Sequence, residues 1–123
     1  MLKTLLFRSA AELFAAILAG TLPADAQMER YFRAHPKLGV RDRGFIAETV
    51  YACLRRRCYL DYLASGNENL NASPEAVVAA ALVALQGISG RAVTENGFQG
   101  DVSPLVERAR TLDKALLPLG VRL

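Results

Sequence analysis

Hydrophobic residues along the chain recur with the period of an α-helix rather than with the alternation of a β-strand. The first apolar stripe, at steps of three and four residues, consists of Leu2, Leu6, Ala10, Leu13 and Ile17. Arg8 and Glu12 fall on the opposite side of the same helix. The pattern therefore predicts an amphipathic first helix.

Two more helices are predicted before the middle of the chain. The second runs from about Ala24 to His35, and Pro36 and Gly39 end it because both disfavour helical continuation. The third starts near Arg41 and continues to about Ser65, with an apolar stripe that includes Ile46, Val50 and Cys53. A polar connection rich in asparagine (residues 65–73) follows it.

The next helix carries the clearest start signal in the chain. In Ser73-Pro74-Glu75, the serine suits the N-cap, the proline suits the first helical position, and the acid suits the positive end of the helix dipole. Every residue from Ala76 to Leu85 is apolar, and the run is too short to cross a bilayer. It predicts a helix at the centre of a bundle, surrounded by the others.

The last part of the chain predicts a loop and a final helix. Residues 86–101 hold four of the nine glycines, which indicates a loop with room for a short turn of helix. The pair Ser103-Pro104 repeats the helix-opening signature. The apolar stripe of this helix consists of Leu105, Ala109, Leu112 and Leu116.

Composition agrees with one globular domain (residues 1–123). The 123 residues are 52% hydrophobic and 22% charged, which allows a core without a disulfide or a metal ion. We expect an all-α bundle of about six or seven helices. The chain stops at Leu123, soon after Pro118 and Gly120, and we expect it to be a fragment of a longer protein.

Positive charge is concentrated in one part of the sequence. Residues 30–57 hold eight basic and two acidic residues, a net charge of +6, whereas the whole chain carries +3. Seven of the eight are arginines, which favour paired contacts with phosphate oxygens. This asymmetry is typical of a surface that binds a nucleic-acid backbone. The candidate RNA-binding residues are Arg30, Arg33, Lys37, Arg41, Arg55 and Arg56.

Helical geometry separates some of the basic residues from the others. Arg55, Arg56 and Arg57 are each turned by about 100° from the last, so they cannot all face one ligand. Arg43 and Arg57 fall on the apolar side of the third helix, where we expect a buried ion pair.

The four tyrosines of the chain lie in or next to this basic segment. They are Tyr31, Tyr51, Tyr59 and Tyr62. One interpretation is that the rings stack on unpaired bases. The other, which we prefer for Tyr31 and Tyr51, is a core residue that keeps its hydroxyl at the surface.

Residues for catalysis or metal binding are missing from the pattern. Cys53 and Cys58 would point about 140° apart on one helix and cannot pair. His35, the only histidine, precedes Pro36 and is expected to interact with the last carbonyls of the second helix. No nucleotide-binding glycine loop or activated nucleophile is present, and Asp61 and Glu68 are poorly spaced for a catalytic pair. We therefore expect no enzyme activity, metal or cofactor in this chain by itself.

The amino terminus has part of the pattern of a secretory signal. Lys3 precedes an apolar stretch that ends near Ala24-Asp25-Ala26, but Arg8 and Glu12 interrupt the region that should be apolar. Free cysteines also fit a reducing compartment. We expect a cytoplasmic protein with no membrane association.

Three stretches resemble a known family: Pro23-Ala24-Asp25-Ala26, then residues 31–43 with Tyr31-Phe32-Arg33-Ala34-His35-Pro36-Lys37-Leu38-Gly39, and residues 47–56. Their order is similar to that in the amino-terminal domain of the RsmB (Sun/Fmu) ribosomal RNA methyltransferases. That domain resembles the transcription antitermination factor NusB, an all-helical RNA-binding fold. Residues 117–123 are also similar to the family's approach to its next segment.

The resemblance implies a module that positions ribosomal RNA. In the family, a separate carboxy-terminal domain uses S-adenosylmethionine to form 5-methylcytosine in small-subunit ribosomal RNA. Nothing here matches that domain, so Cys53 and Cys58 receive no catalytic role. The chain departs from the family at Val40, where a serine that caps the next helix is more usual, and Asp42 is the candidate substitute.

Two other functions remain open. One is a free-standing antitermination factor, which binds RNA together with a ribosomal-protein partner. The other is a scaffold whose basic face docks on the enzyme's own catalytic domain without binding RNA. Ribosomal RNA and that catalytic domain are thus the expected partners.

Overall fold

A computed structural model describes residues 2–67 and 69–111 of the chain. Its regular secondary structure within these residues is entirely helical, with no strand. The seven helices described are α1 (Thr4–Ala19), α2 (Ala24–Ala34), α3 (Val40–Arg55), α4 (Arg57–Ser65), α5 (Pro74–Ala84), α6 (Gly90–Glu95) and α7 (Ser103–Thr111). The prediction of an all-α bundle is confirmed. Leu112, Leu116 and the closing residues 117–123 lie outside the described residues.

Helix α5 occupies the centre of the bundle, as its apolar sequence predicted. The Ser73 hydroxyl accepts a hydrogen bond from the Ala76 backbone N–H at 3.1 Å and so caps the helix. Six consecutive side chains (residues 77–82) are buried, because α1, α3, α4, α6 and α7 all pack against α5. None of the described helices is long and apolar enough to cross a membrane.

Helix α1 buries the predicted stripe against α3 and α5. Leu2, Leu6, Ala10 and Leu13 are buried, and Ile17 is partly buried at the end of the helix. The charged side of α1 is exposed, in agreement with the amphipathic pattern.

The prediction of a single third helix is wrong, because this part of the chain forms two helices, α3 and α4. Arg56 leaves helical geometry, with φ −122° and ψ 31°, and separates α3 from α4. The two halves have different neighbours, because α3 packs on α1 and α5 whereas α4 packs on α5 and α7. A break lets each half turn its apolar face toward its own partners. No proline or glycine stands there, so the sequence carries no signal for it.

The glycine-rich region predicted as a loop contains the short helix α6. The Ser89 hydroxyl accepts a hydrogen bond from the Ala92 N–H at 3.1 Å, so this helix also begins at a serine cap. Val93 is buried, and α6 packs against α5. The prediction that this loop contains a short turn of helix is confirmed.

Candidate nucleic-acid interface

Helices α2 and α3 form an antiparallel hairpin. They are joined by five residues, 35–39, which we call the corner. The Tyr51 hydroxyl donates a hydrogen bond to the Asp25 carboxylate. Because Asp25 is in the first turn of α2 and Tyr51 is in the last third of α3, the two helices run in opposite directions, while each of them packs mainly on α1. This hairpin carries nearly all of the basic segment found in the sequence.

Five of the six predicted RNA-binding residues are exposed on this hairpin: Arg30, Arg33, Lys37, Arg41 and Arg55. Arg33 forms an ion pair with Glu29 one turn away, and both side chains are largely exposed. Within the part of the chain that the structure describes, no ion pair involves the other four. We call these five residues the basic surface.

Arg56, the sixth predicted residue, is placed differently. It is partly buried at the break between α3 and α4, and its guanidinium lies 4.9 Å from the centroid of the Tyr59 ring. This distance is that of a cation–π contact. The structure therefore does not bring Arg56 together with the basic surface as a freely accessible cation.

The expectation of a buried ion pair at Arg43 and Arg57 is wrong. Arg43 is exposed near the start of α3, and Val40 and Gly44 are exposed beside it. Arg57 is partly buried, and no acidic partner for it lies among the described residues. Arg43 adds one more exposed cation to the hairpin.

The basic surface is long rather than pocket-like. Arg41 and Arg55 lie in the first and last turns of α3, which puts their backbones about 21 Å apart along the helix axis. Lys37 is in the corner that precedes α3, and Arg30 is on α2. A row of cations at this spacing matches an extended phosphate backbone better than a small anion.

The hydroxyls of Tyr31 and Tyr51 each bond with a neighbouring helix, in agreement with the preferred interpretation of the sequence. The Tyr31 hydroxyl donates to Glu12 of α1 at 3.2 Å, and burial raises the pKa of Tyr31. The Asp25 carboxylate that accepts from Tyr51 raises the pKa of Tyr51. Both rings pack partly against the core, and Tyr59 is buried. These rings are therefore structural rather than stacking platforms.

His35 ends α2, as its place before Pro36 predicted. Its backbone N–H donates to the Phe32 carbonyl at 3.1 Å. Its ring Nδ1 lies 2.8 Å from the Tyr31 carbonyl and donates to it, since a carbonyl can only accept. The same ring stacks on Tyr31 with centroids 4.1 Å apart and planes 23° apart.

A groove of about 400 Å³ opens between the corner and the start of α1. We call it the corner groove; its walls are Leu5, Ser9, Ala34, His35, Pro36, Lys37 and Leu38. Sequence reasoning missed it, because its two walls come from distant parts of the chain. The only available signal was Leu5, an apolar residue outside the buried stripe of α1.

The start of α3 differs from the expected capping. Gly39 is the N-cap residue, and no side chain, including that of Asp42, makes a cap hydrogen bond there. Val40 is 77% exposed at the first helical position. Asp42 lies in the first turn, where its charge favours the helix dipole without replacing the missing cap.

The two cysteines lie in different surroundings. Both are free, as predicted, with Cys53 buried and Cys58 partly buried. Burial raises the pKa of Cys53 to about 12, which keeps the thiol protonated. No group of three or more potential metal ligands is present among the residues that the structure describes.

Comparisons with known proteins add no relative to this picture. Neither family models, nor curated proteins, nor solved structures match the chain. The function must therefore be inferred from the basic surface, the corner groove and the sequence motifs.

Proposed function

We propose that this chain is an RNA-binding domain that holds ribosomal RNA by its phosphates along the basic surface. The observation that supports this proposal is the row of exposed cations on one helical hairpin, most of which lack an acidic partner among the described residues. A protein gains little stability from such cations, since they neither pack nor pair. Their concentration in one segment of a chain with a net charge of only +3 favours an external anionic partner.

The sequence resemblance supports the more specific part of the proposal. The motifs in residues 31–43 and 47–56 resemble those of the RsmB amino-terminal domain. On this basis the domain positions small-subunit ribosomal RNA for a separate catalytic domain, which forms 5-methylcytosine with S-adenosylmethionine in the cytoplasm. The described residues would hold the RNA and carry out no chemistry themselves.

The test is RNA binding by the 123-residue chain, measured by fluorescence anisotropy at several salt concentrations. The triple variant R30Q/K37Q/R41Q removes three exposed cations from the basic surface. Because each lost phosphate contact removes a released counterion, the slope of log K against log salt should fall by about 2 to 3. Affinity at low salt should fall by about tenfold or more.

The matched control is K3Q/R91Q/R110Q, which removes two arginines and one lysine that are exposed elsewhere on the bundle. It lowers the net charge by the same amount but leaves the basic surface unchanged. It should therefore keep most of the RNA affinity and most of the salt slope. Equal losses for the two triple variants would contradict a localised interface. If the wild-type chain binds no RNA at any salt concentration, the proposal is wrong, and tight association with a separately prepared catalytic domain would favour the docking function.

A further inference from the structure

We propose that the corner groove receives one unpaired base of the bound RNA strand. This inference rests on the proposed function and deepens it, because it names the kind of RNA that the basic surface selects. Cations along α2 and α3 recognise any phosphate backbone, paired or unpaired. A groove beside them that accepts a flat, partly polar ring would favour a loop or a bulge over a continuous duplex.

The size and lining of the corner groove suit a base. Its volume of about 400 Å³ lies within the range of small-ligand sites. Leu5 is 56% exposed at its rim, whereas Leu38 is buried at 6% exposure and anchors its floor. Apolar surface that the described residues leave uncovered at this place is available to contact the faces of a ring.

The groove also presents a polar edge. Because Nδ1 of His35 donates to the Tyr31 carbonyl, the second ring nitrogen, Nε2, is the one that remains for a ligand. No described residue hydrogen bonds with Nε2, so it is available to a polar edge of a base. Ser9 of α1 also lines the groove and is itself buried.

The wall of the groove is formed in advance of binding. His35 is fixed by its stack on Tyr31 and by two hydrogen bonds to α2. The Leu38 N–H donates to the His35 carbonyl at 3.2 Å, and Pro36 restricts the backbone between them. A preformed wall loses little conformational entropy when a ligand enters.

Charge complementarity identifies a nucleotide as the occupant rather than an apolar peptide. Lys37 lines the groove, and Arg33 and Arg41 lie within four residues of it along the chain. Lys37 thus brings a positive charge to a mostly apolar slot, an arrangement that suits a base inside the slot and a phosphate at its edge.

The first test observes the groove in the absence of any long RNA. His35 is the only histidine, so its ring C–H signals are unique in the proton NMR spectrum. We expect titration with uridine or adenosine 5′-monophosphate to shift these signals saturably, and inorganic phosphate at the same concentrations to shift them much less. Equal shifts with phosphate and with the nucleotides would overturn the inference.

The second test fills the groove without changing charge. Ala34 is an exposed groove residue at the end of α2, and A34F places a ring in the slot. The control, A26F, adds the same ring at an exposed alanine two turns earlier on α2, which does not line the groove. A34F should weaken binding to a hairpin with an unpaired loop by about 5- to 100-fold. A26F should leave that binding unchanged.

A fully paired RNA duplex of equal length separates this inference from the proposed function. A34F should bind the duplex as the wild type does, with the same salt slope, because no phosphate contact is lost. If the wild type binds hairpin and duplex equally and A34F changes neither, the basic surface still binds RNA but the groove holds no base. If the wild type binds neither RNA, the proposed function itself fails.

Discussion

The corner between α2 and α3 and the connection between α4 and α5 (residues 66–73) look alike in the sequence, yet they use their polar groups in opposite ways. Both are short breaks predicted from glycine, proline or asparagine. In the connection, the polar groups bond with the protein itself. At the corner, Lys37 and the nearby Arg41 project from the surface with no acidic partner among the described residues.

The connection is held by a buried carboxylate and by an arginine from another helix. Asp61 is 1% exposed, and it accepts hydrogen bonds from the Ser65 hydroxyl at 3.2 Å and the Ala72 N–H at 3.1 Å. Arg108 of α7 donates to the Leu63 carbonyl at 2.6 Å, near the carboxyl end of α4, and packs beside Gly66. Charge in this region is structural, because a helix covers it.

The corner differs, because its cations are exposed and have no acidic partner among the described residues, although Leu38 between them is buried. A surface cation is available to a ligand only where neighbouring elements leave it unpaired. The comparison therefore separates two kinds of charged residue. Replacing a structural one lowers the stability of the fold, whereas replacing a functional one weakens ligand binding. The following substitutions test that separation, beginning with the largest expected effect.

Replacing Asp61 with alanine should give the largest loss of stability. The Ala72 N–H would lose its buried acceptor, whereas the Ser65 hydroxyl keeps the Asp61 backbone carbonyl at 2.8 Å, so the expected cost is about 1 to 3 kcal/mol in the free energy of unfolding. Urea denaturation followed by circular dichroism measures this. E48A removes an exposed carboxylate from α3 and should change stability by less than about 0.5 kcal/mol. A loss below about 1 kcal/mol for D61A would show that the carboxylate is dispensable.

The importance of Asp61 could not be read from the sequence, although much of the fold could. The stripes of α1 and the serine cap of α5 depend on neighbours three or four residues apart, so local patterns predict them. Asp61 bonds with the Ala72 N–H eleven residues away, and the corner groove joins α1 to the corner. Such contacts depend on tertiary packing, which a single sequence does not reveal.

The same limit applies to the basic residues. Their concentration in residues 30–57 is visible in the sequence. Which of them are free is not visible, because this depends on the break at Arg56 and on what covers each helix. For that reason the sequence predicted a buried Arg43 and an RNA-binding Arg56, whereas Arg43 is exposed and Arg56 is partly buried against the Tyr59 ring.

A smaller effect is expected from glycine substitutions in the two regions. Gly66 has φ +79°, and an added Cβ would lie 2.8 Å from an Arg108 nitrogen. G66A should therefore destabilise the protein by about 1 to 2 kcal/mol, from backbone strain and displacement of the guanidinium. G44A, inside α3 with nothing within 4 Å of its Cβ, should instead stabilise by about 0.5 to 1 kcal/mol. Thermal unfolding of both variants measures the difference, and equal melting temperatures would contradict the distinction between the two regions.

The smallest expected effect is a gain at the start of α3. Gly39 occupies the N-cap with φ −75° and ψ 175°, a conformation that serine adopts easily, and an added Cβ there meets nothing within 4 Å. G39S should stabilise the protein by a few tenths of a kcal/mol, since its hydroxyl would accept from an unpaired N–H of the first turn.

V40S is the informative control for that gain. Its hydroxyl would lie at the first helical position, one residue beyond the N-cap, so we expect no stabilisation from it. Urea denaturation of both variants, run in parallel, measures the difference. If V40S raised the stability and G39S did not, the N-cap of α3 would be residue 40 rather than residue 39. The N-cap would then coincide with the serine position of the family that the sequence resembles. Because neither change alters charge, the salt dependence of RNA binding should stay that of the wild type in both variants.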